Sequence, residues 1–196
     1  MFRPMSRTMK ALLGVWVAVL LGAAGWIGWD AWQGDRPAIG GSFALTDQDG
    51  RTVTSDSLKG KPTLIYFGFT YCPDVCPTSL LLMETAIEKL GPDAAKKVNL
   101  VFITIDPERD TKELIKGYVS NFGATFEGLT GTPDQIAAAA RAYRVYYQKV
   151  PGKEGSPYLM DHSSIVYVLD RNGRSVTHFT HEAKAEQIAA ALKKLL

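Results

Sequence analysis

The chain has 196 residues and only two cysteines, Cys72 and Cys76. A disulfide scaffold spreads its cysteines to close long loops, because loop closure supplies the stabilisation. A bridge over so small a loop adds little, so the pair points to chemistry. The segment Gly68-Phe-Thr-Tyr-Cys72-Pro-Asp-Val-Cys76-Pro77 leaves an apolar run and enters a helical pattern. Open α/β sheets place their ligands at such strand-to-helix exits. Free N–H groups and the macrodipole at a helix N-terminus favour the thiolate, which is both the metal-binding and the nucleophilic form. Pro77 suits a first helical turn, where no N–H is needed. Residues four apart share a helix face, so both sulfurs are expected to address one ion. Two soft thiolates select Cu(I), with Zn(II) the main rival. Inert buried cysteines are the alternative, but two of them in one proline-bounded loop, with none elsewhere, argue against it.

The elements around this loop must hold it. Thr63–Phe69 and Val98–Ile105 are apolar runs typical of strands covered on both faces. Leu80–Leu90, Thr111–Phe122, a segment opened by Thr132-Pro133-Asp134, and Glu182–Leu195 read as helices; Thr132 is an N-cap with Pro133 at the first position. Phe43–Thr54 reads as a hairpin turning at Asp47–Gly50. Val145–Gln148 and Tyr158–Met160 flank a loop at Pro151–Pro157, and Ser163–Leu169 and Ser175–Phe179 turn at Asn172-Gly173. The fold class expected is α/β, a thioredoxin-like sandwich. Thioredoxin-type dithiols have two intervening residues and this loop has three, which still permits a disulfide, so redox chemistry stays open.

In such a sheet the loop entering the strand at Ser163 lies beside the cysteine loop, which brings His162 forward as third ligand. Cys₂His suits three-coordinate Cu(I) and accepts Cu(II) with an added oxygen ligand, whereas closed structural zinc wants a fourth protein donor. Asp161 is expected either to orient His162 or to cap the turn. Asp74 is expected to tune the site or cap the helix, and Asp106–Asp110 to cap the next one. His178 and His181 read as exposed, and Met160 as a core residue.

Hydrophobic residues make up 46% of the chain, charged residues 21%, and the net charge is +2, with no basic stripe. This excludes a nucleic-acid partner. Arg3, Arg7 and Lys10 precede an uncharged stretch, residues 11–29, long enough for a helix to cross a bilayer, with Trp26, Trp29 and Trp32 at its far end. The expected organisation is a cytoplasmic N-terminus (1–10), a transmembrane anchor (11–29), a linker (30–41) and a folded domain (42–196). A cleaved signal peptide is the alternative for the apolar stretch.

Six stretches resemble the Sco/SenC proteins, the copper chaperones of cytochrome c oxidase assembly. They are Tyr66-Phe-Gly-Phe-Thr70, Cys72-Pro-Asp-Val-Cys-Pro77, Ile105-Asp-Pro-Glu-Arg-Asp110, Gly128-Leu-Thr-Gly131, Arg141-Ala-Tyr-Arg-Val-Tyr-Tyr147 and Asp161-His-Ser163. The resemblance implies a thioredoxin-like fold with an insertion at residues 144–161 before the histidine. It implies one copper per chain, Cu(I) or Cu(II), on Cys72, Cys76 and His162. The implied partners are the oxidase subunit that carries the binuclear copper A centre and an upstream copper donor or thiol reductant. The chain is expected to be a metallochaperone and not an enzyme, with its domain on the periplasmic side of a bacterial inner membrane or in the equivalent mitochondrial topology. The competing expectation is a thiol-disulfide oxidoreductase in which Cys72 and Cys76 keep the copper A cysteines reduced.

Overall fold

The computed structural model describes Met9, residues 16–26, residue 28 and residues 39–196 except 124, 125, 153 and 154. The chain divides into two units, residues 1–37 and 38–196. In the first, residues 16–26 are helical, with Trp16, Val17, Leu20, Leu21 and Trp26 exposed. Among the described residues no helix is long and apolar enough to cross a membrane. The rest of the expected anchor, residues 11–15, 27 and 29, lies outside the described residues, as do most of 1–10 and 30–38.

The second unit is a mixed α/β fold. In chain order it contains β1 (Ala44–Asp47), β2 (Thr52–Thr54), β3 (Thr63–Gly68), α1 (Val75–Glu88) and α2 (Pro92–Ala95), then β4 (Asn99–Thr104), α3 (Lys112–Val119), β5 (Phe126–Thr130) and α4 (Pro133–Ala142). It closes with β6 (Tyr147–Val150), β7 (Leu159–His162), β8 (Ile165–Leu169), β9 (Ser175–Thr180) and α5 (Ala185–Lys193). The main sheet has strand order β2-β1-β5-β4-β3-β8-β9, and β6 and β7 pair separately. Strands β3, β4 and β5 run parallel, flanked by antiparallel β1 and β8. Every residue of β3 is buried, as its unbroken apolar run requires of a strand covered on both faces.

Two turns close as the sequence suggests. Asp47 Oδ1 accepts the N–H groups of Asp49 and Arg51 at 2.9 and 2.8 Å, fixing the β1–β2 turn. Asp170 Oδ1 accepts those of Asn172 and Arg174 at 2.9 and 3.0 Å, fixing the β8–β9 turn. Thr132 caps α4 with a reciprocal bond from Gln135. Helix α4 ends in a wrap where the Val145 N–H reaches back to the Ala140 carbonyl at 2.8 Å and Arg144 takes a left-handed φ of 55°. A non-glycine residue is strained there by about 1 kcal/mol. This wrap turns the chain into β6 and thus aims the hairpin that carries His162.

Strand β5 has no counterpart in the sequence pattern. It is interrupted by Gly128, and a glycine in a strand marks close approach of another element. A Cβ at Gly128 would lie 2.2 Å from Ile115 Cγ2, so α3 presses directly on the strand there.

Candidate metal centre

The cysteine loop hangs between the end of β3 and the start of α1, and a buried carboxylate holds its base. Asp110 is fully buried and accepts the Thr70 N–H at 3.0 Å, the Thr70 hydroxyl at 2.5 Å and the Thr104 hydroxyl at 2.6 Å. Helix α1 begins at Val75, ahead of the apolar spacing that starts at Leu80, so Pro77 lies in its first turn as expected, with Cys76 beside it and Cys72 outside the helix. The two sulfurs therefore meet because the loop folds back over the helix end, and not because both lie on one helical face. Asp74 occupies the cap position, yet its side chain makes no cap bond. The Cys76 N–H instead points to Cys72 Sγ at 3.4 Å, so a sulfur does what an N-cap oxygen does elsewhere.

His162 enters from the second sheet. It ends β7 and pairs with Tyr147 of β6. Its Nε2 lies 3.4 Å from Cys76 Sγ, and its Nδ1 lies 3.1 Å from the Ser163 carbonyl. With Nδ1–H donating to that carbonyl, the Nε2 lone pair faces the sulfurs. The rings of Tyr66 and Phe69 stand edge-on to the imidazole at 6.1 and 5.8 Å and fix its plane. The orienting partner is thus a backbone carbonyl; Asp161 is exposed and pairs across the hairpin with Gln148.

Cys72 Sγ, Cys76 Sγ and a His162 ring nitrogen all lie within 4.8 Å of one another. Metal–sulfur bonds of about 2.3 Å and metal–nitrogen bonds of about 2.0 Å separate trigonal donors by roughly 3.5–4 Å, so one ion fits with little movement. Among the described residues this is the one group of three or more such side chains.

The two thiols are not equivalent. Cys76 is fully buried and Cys72 partly exposed. A hydrogen bond from Cys76 holds the Cys72 thiol down at about 4 against the cost of its burial, with further help from the Asp74 and Cys76 N–H groups. Its negative charge and hydrogen bond, together with burial, push Cys76 well above the usual thiol range. The pair therefore titrates unevenly, with Cys72 the more readily ionised thiol and Cys76 the less.

Residues 32–196 match the SCO1/SenC family profile. The chain belongs to this family. An SCO2-like protein of Rickettsia felis is 44% identical over 162 residues, covering 81% of this chain and 78% of that one. A human mitochondrial SCO1 homologue is 40% identical over 158 residues, covering 80% of this chain and 52% of that one. Among solved structures, ScoI of Bradyrhizobium japonicum with copper bound is 52% identical with a TM-score of 0.75, covering 81% of this chain and all of that one. Yeast Sco1 with copper bound is 36% identical with a TM-score of 0.74, covering 81% and 88%. The mixed α/β domain is accordingly the thioredoxin-like Sco fold.

In this SCO1/SenC chain, Asp106–Asp110 is more than the helix cap expected of it. Thr111 caps α3, accepting the Leu114 N–H. Asp106 is buried, pairs with Arg109 Nε at 2.5 Å and accepts the Tyr158 hydroxyl at 2.7 Å. Arg109 also donates to the Tyr158 carbonyl at 2.8 Å and lies near three rings, 3.6 Å from the centre of Tyr158, 4.9 Å from that of Tyr71 and 6.0 Å from that of Phe69. One guanidinium thus ties the residue before Cys72 to the residue that leads into the strand carrying His162. The only signal for this in the sequence is an acidic-basic cluster at a strand end, which also fits capping. His178 and His181 are exposed and take no part, and Met160 is buried in the core, as expected of each.

Proposed function

We propose that this chain binds one copper ion through Cys72 Sγ, Cys76 Sγ and His162 Nε2 and passes it to the subunit of cytochrome c oxidase that carries copper A. The observation that carries the reading is the convergence of two sulfurs and an oriented imidazole within 4.8 Å, one sulfur fixed and one accessible. Two thiolates and one imidazole suit Cu(I). Two copper-bound structures similar to this chain support the choice of metal.

The asymmetry of the cysteines gives an order to release. Cys72 stands at the surface, so an incoming ligand of the partner displaces it first. His162 follows with movement of the β6–β7 hairpin, and the buried Cys76 lets go last. Residues 11–29 would anchor the domain at the outer face of a bacterial inner membrane, or at the equivalent mitochondrial face; the exposed Trp16, Leu20, Leu21 and Trp26 suit lipid contact. Extraction of the full chain from membranes by alkaline carbonate would sink the anchor.

The low-lying Cys72 thiol favours a second reading, thiol-disulfide exchange. The Cys72 thiolate would attack one sulfur of a partner disulfide, forming a mixed disulfide and releasing a partner thiolate. Cys76, losing its proton, would attack Cys72 Sγ and release the second thiolate, leaving a Cys72–Cys76 disulfide and a partner reduced by two electrons. His162→Ala separates the readings. Copper transfer requires that variant to lose copper and oxidase assembly together. Assembly at wild-type level without bound copper would overturn it in favour of reduction.

A further inference from the structure

The buried sulfur of Cys76 sits in a slot made by residues with no metal-binding chemistry of their own. On one side is Gly68, the last residue of β3. A Cβ there would lie 2.9 Å from Cys76 Sγ, 2.9 Å from Tyr66 Cε1 and 3.0 Å from Phe102 Cε2. These are distances that carbon does not tolerate, so the sulfur occupies the space that a side chain at 68 would take. On another side is Tyr66, fully buried, with its hydroxyl 3.8 Å from Cys76 Sγ.

We propose that Tyr66 is a positioning residue for the bound copper: its hydroxyl donates to the Cys76 sulfur, holding it beside His162 and weakening it as an electron donor. The inference rests on the copper reading of the site. The Ser79 and Ser164 hydroxyls also adjoin the phenol, and Ser79 Oγ spends its own proton on the Val75 carbonyl at 2.8 Å. The Tyr66 proton therefore chooses between two neutral hydroxyls and a sulfur. Once Cys76 is a metal-bound thiolate its charge makes it the stronger acceptor. A hydrogen bond to a ligating thiolate draws electron density from the metal, which favours Cu(I) over Cu(II). The edge-on contact of the same ring with His162 means that one residue disciplines two of the three ligands.

The test uses the full chain in detergent, loaded with copper. Tyr66→Phe keeps the ring and removes the donor. It is expected to retain one copper, to lower the Cu(II)/Cu(I) midpoint potential and to shift the thiolate-to-Cu(II) absorption band to lower energy. Site-specific 3-fluorotyrosine at 66, a stronger donor, should move both readouts the opposite way, and this keeps the proposal testable if Tyr66→Phe does not fold. Ser79→Ala should leave both where they are. If the wild-type chain binds no copper, the copper reading itself fails. If it binds copper and neither substitution at 66 moves the band or the potential, or if Ser79→Ala moves them instead, the role of Tyr66 is overturned.

Discussion

Cys72 Sγ accepts the backbone N–H of Cys76 at 3.4 Å, so the two cysteines are linked before any metal arrives. A hydrogen bond from the Cys76 thiol is the main cause that lowers Cys72, and this backbone contact adds a further donor, so Cys72 is the more readily ionised of the two. The reduced chain should therefore react with iodoacetamide at Cys72 alone, and at a rate that holds from neutral pH down towards about 4, the value to which Cys72 is drawn. The sign follows from the depressed value: reactivity falls only as the pH drops through it, whereas an ordinary thiol with a pKa of about 8.5 has lost its thiolate far above. Mass spectrometry of the alkylated chain reads the site. A half-reaction pH near 8, or equal labelling of both cysteines, contradicts the assignment. In Cys76→Ala the half-reaction pH should rise, since the hydrogen bond from the Cys76 thiol is gone while the backbone N–H remains.

Asp110 reaches the site through Thr70. Its carboxylate collects three donors in the core, and burial raises its pKa despite them. Asp110→Asn turns one acceptor oxygen into an N–H₂ group facing a donor, leaving a buried polar group unpaired at a cost of about 1–3 kcal/mol. The denaturation midpoint at pH 7 should fall accordingly. Because the folded value is raised, the stability that Asp110 contributes is full below its unfolded value and lost as the pH rises through the folded one. The variant should lack that decline. A difference below about 0.5 kcal/mol would remove Asp110 as the tether of the loop.

Arg109 makes a parallel prediction. Arg109→Ala abolishes the pair with Asp106, the bond to the Tyr158 carbonyl and the contacts with three rings. The loss leaves the buried Asp106 carboxylate short of its cation, and the expected cost is about 2–4 kcal/mol. Arg109→Lys restores charge without the planar fork and should recover only part of it. Limited chymotrypsin digestion should cut faster after Tyr71 and Tyr158 in both variants. Unchanged cleavage would separate the cysteine loop from the hairpin.

The cysteine loop was the most legible part of the molecule, because its residue types, prolines and position at a strand exit are all local properties. The helix that follows is legible only in part from the apolar spacing. Its first turn, Val75-Cys76-Pro77-Thr78-Ser79, lacks the apolar spacing from which Leu80–Leu90 was recognised, and its cap is a sulfur. Placing His162 in the site needed the fold as well, since nothing near it in sequence marks a ligand. Strand β5 is not legible in the sequence for a physical reason: Gly128 removes the side chain that would signal a strand, and Ile115 fills that space. Gly128→Ala should therefore lower stability by about 1–3 kcal/mol through overpacking, read from the urea midpoint. A neutral result would mean that α3 can shift away from β5 freely.

Copper binding and thiol oxidation compete for the same two sulfurs, and this gives the most direct test of the site. A ligand that binds only the folded state stabilises it by RT ln(1 + [L]/Kd), about 2.7 kcal/mol at a hundredfold excess over Kd. The reduced chain titrated with Cu(I) should thus show a rising melting temperature that saturates at one metal per chain. Oxidation of Cys72 and Cys76 removes both thiolates, so the oxidised chain should show no such rise until reductant is added. Cys72→Ala should weaken binding while leaving Cys76 and His162 as a two-coordinate remnant. Cys76→Ala should do worse, because it removes the ligand that the fold holds most rigidly. If the oxidised chain took up Cu(I) as tightly as the reduced one, the ion would have to lie elsewhere, and the convergence of Cys72, Cys76 and His162 would lose its meaning as a metal centre.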